Sequence, residues 1–192
     1  GAEVLARWLS PRRGLILPGN FIPLFEKSEL IVKLDRYMFE HACRWYRSHL
    51  EQGGRPVSLA VNVSKAGLFQ NDFVDYYTDI KAKYSIPDRV MELEFTESIL
   101  AADTELFAEL VVNLNARGFI CSLDDFGSGY SSLNLLKNLP IDVLKLDILF
   151  FQKSRDIRRE RIVVSNVINM AKELDIKTIA EGVEDMDTVE FL

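Results

Sequence analysis

The sequence has little of what soft-metal, redox or nucleophilic chemistry requires. Its 192 residues include 2 cysteines and 2 histidines. Cys43 and Cys121 match no zinc or redox spacing and read as buried thiols in a reducing cytosol. His41 and His49 stand on one helical pattern with no ligand set around them. No Ser-His-Asp or Cys-His set is placed for nucleophilic attack. A basic excess is also lacking, since 23 Lys and Arg face 29 Asp and Glu for a net charge of −6. That excludes a general DNA or RNA binder and leaves an anionic ligand dependent on a local cationic site. No apolar run approaches the ~18 residues of a membrane span, and no signal peptide opens the sequence. The chain therefore reads as cytosolic, without direct membrane contact. The glycine-rich phosphate turn of dinucleotide folds is missing after every candidate strand, because Gly127-Ser128-Gly129 lacks the third glycine and the right context.

What is present is an alternation of strand and helix. With 48% hydrophobic and 27% charged residues, the composition is that of a globular domain. Short β-prone runs fall at residues 2–8, 57–63, 90–96, 119–124, 143–147 and 177–180. A helix is predicted over residues 29–52, with Leu34, Met38, Ala42, Trp45 and Tyr46 on its packed face and Gly53-Gly54 as its stop. Asp103 is placed to cap a helix carrying Phe107, Leu110, Val111 and Leu114, which Gly118 ends. A late helix aligns Val164, Val167, Ile168, Ala171 and Leu174, and residues 74–84 form another. Alternation of this kind implies parallel strands with right-handed crossovers. With no dinucleotide turn, the expected fold is α/β, a TIM-type (β/α)8 barrel of which six strand–helix units are visible.

Polar residues fall at the strand ends. Asn62, Glu94, Asp124 with Asp125, Lys145 and Glu181 close successive runs that are otherwise largely apolar. Any one of them reads most simply as a solvated group where strand meets loop. As a set they belong to one rim, because parallel barrel strands gather their C-terminal ends on the face where active sites form. Within the first run, Glu3, Leu5 and Arg7 share one side by the two-residue period, so Glu3 and Arg7 are expected to reach one cavity. Carboxylates so gathered repel one another unless protonated or bridged by a cation. An all-oxygen donor set suits Mg²⁺ or Mn²⁺ rather than zinc. Adjacent aspartates can serve two neighbouring ions, as in-line displacement at phosphorus uses. Lys145 and Arg7 supply positive groups for an anionic phosphodiester.

At this point the residues resemble a family. Glu3-Val4-Leu5-Ala6-Arg7 resembles the Glu-Ala-Leu-x-Arg signature of EAL domains, with Val4 in place of the alanine. Phe21-Ile22-Pro23, Val61-Asn62-Val63-Ser64, Glu94-Phe95-Thr96-Glu97-Ser98, the run DDFGSGYSSL from Asp124 to Leu133, Lys145-Leu146-Asp147 and Glu181-Gly182-Val183-Glu184 follow in family order. The sequence is similar to EAL-type cyclic di-GMP phosphodiesterases over essentially its whole length.

The resemblance implies a single EAL domain over residues 1–192 and hydrolysis of one phosphodiester of cyclic di-GMP to linear pGpG. By it, Glu3, Asn62, Glu94 and Asp124 would hold one Mg²⁺ or Mn²⁺ ion, and Asp124 would be shared with a second that Asp125 also contacts. Lys145 and Glu181 would position and activate the attacking water, and Arg7 would contact a substrate phosphate. Glu97 and Glu184 would support the loop over residues 126–132. The implied partners are cyclic di-GMP, a second copy in a homodimer, and sensory or GGDEF-type domains in the parent protein. Against the family pattern a strand before Glu3 and one after Leu192 are missing, the latter carrying an active-site glutamine. The expectation is that strands beside such a gap expose unpaired edges. The alternative function is a module that binds cyclic di-GMP without cleaving it.

Overall fold

The computed structural model describes residues 1–99, 104–127, 136–151 and 156–192. Two compact units emerge: Gly1–Glu94 with Asn113–Phe119, and Phe95–Val112 with Ile120–Leu192.

In the first unit, β1 (Ala2–Val4) pairs in parallel with β4 (Leu59–Val63), Glu3 lying opposite Ala60. The strand expected over residues 2–8 thus stops at Val4. The chain turns instead into an antiparallel hairpin, β2 (Trp8–Ser10) with β3 (Gly14–Ile16). The Ser10 hydroxyl accepts from the Arg12 and Arg13 backbone N–H groups, and Gly14 takes a left-handed φ of 69°. Two strands of 3 residues are too short for alternation to reveal. Helix α1 (Pro18–Lys27) begins with proline, as helices favour, but Pro23 inside it masks the pattern. Trp8 packs edge-on against Phe21 at 5.8 Å and ties hairpin to helix.

Helix α2 (Leu30–Glu51) lies where it was predicted, and Ala42 and Tyr46 are buried as expected, but Leu34 and Met38 are only half-buried and Trp45 is exposed. The buried residues are Ile31, Asp35, Phe39, Ala42, Cys43 and Tyr46. A charged residue in the buried row disguises the stripe. Trp45, expected to pack, is exposed and stacks on His49 at 4.8 Å, and Tyr37 stacks on His41 at 5.7 Å. Short α3 (Lys65–Leu68) and α4 (Phe73–Lys83) follow. Phe39 meets Tyr77 at 4.4 Å and Phe119 at 6.1 Å in the core. Buried Lys81 pairs with Asp88 and donates to the Arg117 carbonyl at 3.0 Å. Gly118 (φ 80°) is the expected helix-ending glycine, and a Cβ there would lie 2.1 Å from an Asp88 oxygen.

β5 (Met91–Thr96) and α5 (Thr104–Ala116) have residues in both units; the predicted cap Asp103 lies outside the described residues. In the second unit β6 (Ile120–Phe126), β7 (Val143–Leu146) and β8 (Lys177–Ala180) run parallel. Helix α6 (Ile157–Glu173) is capped by Asp156 and buries Val164, Val167 and Ala171 of the predicted stripe, whereas Leu174 lies past its end and is exposed. Helix α7 (Met186–Phe191) is capped by Asp185.

Among the described residues the sheet order is β1-β4-β5-β6-β7-β8. Every strand neighbours the one before it in this succession. A doubly wound sheet reverses its order at a switch point, so unbroken succession is the barrel pattern.

Candidate active site

In the first unit the expected ligands sit on three strands. Asn62 Nδ2 donates to Glu3 Oε1 at 3.0 Å, joining β1 to β4 through side chains. Glu94 lies within β5, and its side chain is buried at 2% exposure. The turn after Asn62 is fixed from behind. Ser64 caps α3 by accepting from Gly67 N–H at 3.0 Å, while its own N–H donates to Asp35 Oδ2 at 3.0 Å and its hydroxyl to the same oxygen. A Cβ on Gly67 would lie 2.7 Å from that oxygen, so a larger residue would displace the Asp35 carboxylate. Burial pushes the Asp35 pKa up to about 6, against the downward pull of the Ser64 hydrogen bonds. Asp35 and Ser64 carry no recognisable chemistry in the sequence, and only their contact reveals what they do.

The second unit holds the charged centre. Register runs Leu123↔Leu144 and then Phe126↔Leu146, so Asp124 and Asp125 together face the single residue Lys145. This is a β-bulge, which breaks strand alternation and re-aims side chains. Asp125 absorbs it with a left-handed φ of 56°, a conformation aspartate tolerates better than most residues. Lys145 is only 5% exposed, yet its ammonium lies 2.7 Å from Glu181 Oε1 and 3.5 Å from Asp124 Oδ1. Burial of a cation is costly unless opposite charges attend it, and here two do.

Asp125 is under electrostatic stress. Partial desolvation raises its pKa above the ordinary aspartate range, as do the negative charges of Asp124, Asp147 and Glu181; Lys145 acts in the opposite sense. Asp147 is the member the sequence reading assigned no role. Its place two residues after Lys145, on the same side of the strand by period, was the available signal.

The donors on these strands are all oxygen, and the excess negative charge around Asp125 is what a divalent cation relieves. In kind they fit Mg²⁺ or Mn²⁺. Among the described residues, no three His, Cys, Asp or Glu side chains stand together so as to hold a metal ion. Mg²⁺ commonly takes one or two carboxylates and completes its shell with water and substrate phosphate oxygens.

The remaining expected residues fall unevenly. Glu97 is buried in the 3₁₀ turn after β5, and its Oε2 accepts at 3.4 Å from the N–H of Gly127, the second residue after the aspartate pair. Glu184 is exposed and makes no hydrogen bond or ion pair among the described residues; loop residues 128–132 lie outside them. Arg7 is beyond β1, and its Nη1 donates to the Ala6 carbonyl at 2.9 Å. The shared strand face expected for Glu3 and Arg7 does not exist, because the chain leaves the sheet before Arg7.

Comparisons with known proteins bear on the family and the fold. A family profile described as EAL domain matches residues 1–192. The chain is 37% identical over 192 residues to the bifunctional diguanylate cyclase/cyclic di-GMP phosphodiesterase MucR of Pseudomonas aeruginosa, covering 100% of this chain and 28% of MucR. A second relative from that organism, named a cyclic di-GMP phosphodiesterase, is 33% identical over 196 residues, covering 100% of this chain and 32% of its own length. The chain thus spans about a third or less of these relatives. The solved MucR phosphodiesterase in complex with c-di-GMP superimposes with a TM-score of 0.89 at 37% identity, over 99% of this chain and 77% of that one. The α/β barrel architecture is therefore shared with EAL domains of known structure, and the chain belongs to the EAL domain family.

Proposed function

We propose that this chain hydrolyses one phosphodiester bond of cyclic di-GMP, releasing linear pGpG, with two divalent ions of the Mg²⁺ or Mn²⁺ kind. The observation that carries the reading is Lys145, buried between Glu181 and Asp124 at the ends of three successive parallel strands. A buried cation paired with one carboxylate partly open to solvent and one buried suits a centre in which the ammonium orients water and the open carboxylate takes its proton. It has little use in mere packing.

In this reading Glu3, Asn62, Glu94 and Asp124 hold one ion, and Asp124 with Asp125 the second. The ions supply charge neutralisation on the phosphodiester and a lowered pKa for bound water. Glu181 accepts the proton of the attacking water at its carboxylate, and the Lys145 ammonium, 2.7 Å from Glu181 Oε1, orients that water. Arg7, on an exposed segment after β1, reaches a substrate phosphate by swinging away from the Ala6 carbonyl. Glu97 steadies the backbone after the aspartates through Gly127. The relatives' names support the substrate, and the parent proteins' additional length supports fusion to other domains. Homodimer formation remains part of the proposal, as does the role of Glu184.

The experiment is turnover of cyclic di-GMP to pGpG, followed by chromatography with Mg²⁺ or Mn²⁺ and again with excess chelator. Metal-dependent release of pGpG is expected. Tight binding of cyclic di-GMP with no product under any metal condition would replace the hydrolase by the binding module.

A further inference from the structure

The 3₁₀ segment after β7, Ile148–Phe150, is not absorbed by the chemistry above, yet it touches both loops that carry it. Gly127, directly after Asp125-Phe126, has a φ of 103°, and a Cβ there would lie 2.0 Å from Phe150 Cε2. Gly182, directly after Glu181, has a φ of 65°, and a Cβ there would lie 2.7 Å from Ile148 Cδ1 and 2.8 Å from Ile148 Cβ. Each glycine is therefore required twice, by its backbone conformation and by the side chain seated on it. Phe150 also stacks on Phe126, with rings 6.1 Å apart and 8° from parallel. The segment is anchored from β7 by Asp147, whose Oδ1 accepts from Leu149 N–H at 2.7 Å. The backbone is stitched on both sides: Asp147 N–H donates to the Phe126 carbonyl at 3.2 Å, and Glu181 N–H to the Leu146 carbonyl at 3.0 Å.

We propose that Ile148 and Phe150 are positioning residues, a two-pronged wedge that seats the turn after the aspartate pair with one side chain and the turn after Glu181 with the other. The bulged strand end holds Asp125 in a strained conformation, which persists only where the surroundings over-determine it. Phe150 supplies that constraint on one side. Ile148 supplies it for Glu181, whose 2.7 Å pairing with Lys145 depends on where the β8 turn lies. Phe150 is half-buried and Ile148 is 40% exposed, so their role is in local geometry more than in the core. The inference rests on the hydrolase reading for its consequence in turnover and on the packing alone for its consequence in structure.

The test compares Phe150→Ala, Ile148→Ala and the control Leu149→Ala in the full chain. Leu149 lies between the prongs, is exposed, and is not among the atoms nearest either glycine. Steady-state hydrolysis of cyclic di-GMP and amide hydrogen exchange by NMR are read for each. Phe150→Ala is expected to speed exchange at Gly127 and Asp147, and Ile148→Ala at Glu181, by tenfold or more. Each should lower kcat about 10- to 100-fold with KM within threefold, the size of effect a roughly 1 Å misplacement produces. Phe150→Leu should restore most of both, and Leu149→Ala should alter neither. Unchanged exchange at those amides in the alanine variants overturns the wedge, as does an equal effect from Leu149→Ala. If the unaltered chain turns over no cyclic di-GMP, the hydrolase reading falls and the exchange data still decide the wedge.

Discussion

The candidate residues fall into two groups, one half in each compact unit, built to different tolerances. Glu3 and Asn62 meet through one hydrogen bond between exposed side chains on unstrained strands. Lys145 is buried between two carboxylates, facing a bulge that forces Asp125 into a left-handed conformation. The first arrangement offers ligands that can adjust around whatever they bind. The second fixes charges before anything arrives, which is what catalysis by preorganised electrostatics needs. On the proposed reading the first half holds metal and the second reacts, and removals from each half should break that division differently.

Removal of divalent ions should have the largest effect, since both halves lose their purpose together. Excess chelator is expected to abolish pGpG formation, and Mg²⁺ or Mn²⁺ to restore it. Ca²⁺ should permit cyclic di-GMP binding without turnover, because its looser coordination places the attacking water poorly. Calorimetric binding beside product analysis separates the two, and full activity with chelator would place the chemistry outside this donor set.

Next come the residues of the committed half. Glu181→Gln keeps shape and removes the proposed base, so kcat is expected to fall at least ~100-fold, the lower range for loss of general acid–base catalysis. Lys145→Met keeps the buried volume and removes the charge, with a similar loss. Its melting temperature should also drop, because Asp124 is left buried beside no cation. A well-folded Glu181→Gln variant with near-normal kcat would assign the proton transfer elsewhere.

How far the sequence led follows the same division. Asp124, Asp125, Lys145 and Glu181 were legible because each stands at or near the end of an apolar run, where a polar group is conspicuous. The bulge was not, since a register shift is a relation between two strands and leaves no trace in either alone. The hairpin after β1 was missed because its strands are shorter than one detectable period, and Arg7 was misplaced with it. The first half of the buried face of α2 was read one residue off, Leu34 and Met38 for Asp35 and Phe39, because Asp35 belongs to it. A charged residue on a buried row counts against the right stripe until its partner, here Ser64, is known. Phe150 and Ile148 were invisible for a related reason, because their meaning lies in the glycines of two other loops.

The adjustable half should yield smaller effects on turnover. Asn62→Ala removes a proposed ligand and frees Glu3 from its hydrogen bond. We expect about tenfold lower kcat/KM at limiting Mn²⁺, recovered as Mn²⁺ is raised, in keeping with the ~10- to 100-fold cost of losing support at a metal site. Loss that excess Mn²⁺ does not recover would place Asn62 with the reacting residues.

The smallest expected effect on turnover, and the clearest on stability, is that of Asp35. Its carboxyl supports the turn after Asn62 from within the core and has its pKa raised from the ordinary 3.8 to about 6 by burial. A folded-state pKa above the unfolded one means that the native chain binds more protons between those values. The stabilisation from the neutral form is therefore complete below about pH 3.8 and is lost as pH rises through about 6. Two pH units correspond to roughly 3 kcal/mol at most. Asp35→Asn retains an oxygen to accept from Ser64 N–H and hydroxyl but cannot ionise. Urea unfolding at pH 4 and at pH 7 measures the contrast. The unaltered chain should lose ~2–3 kcal/mol more than the variant between these conditions, while turnover at pH 7 differs by less than about threefold, under ~0.7 kcal/mol. Other carboxylates titrate identically in both proteins, so the difference isolates Asp35. Parallel pH profiles for the two would show that Asp35 is already ionised at pH 4 and that the Ser64 donors outweigh its burial.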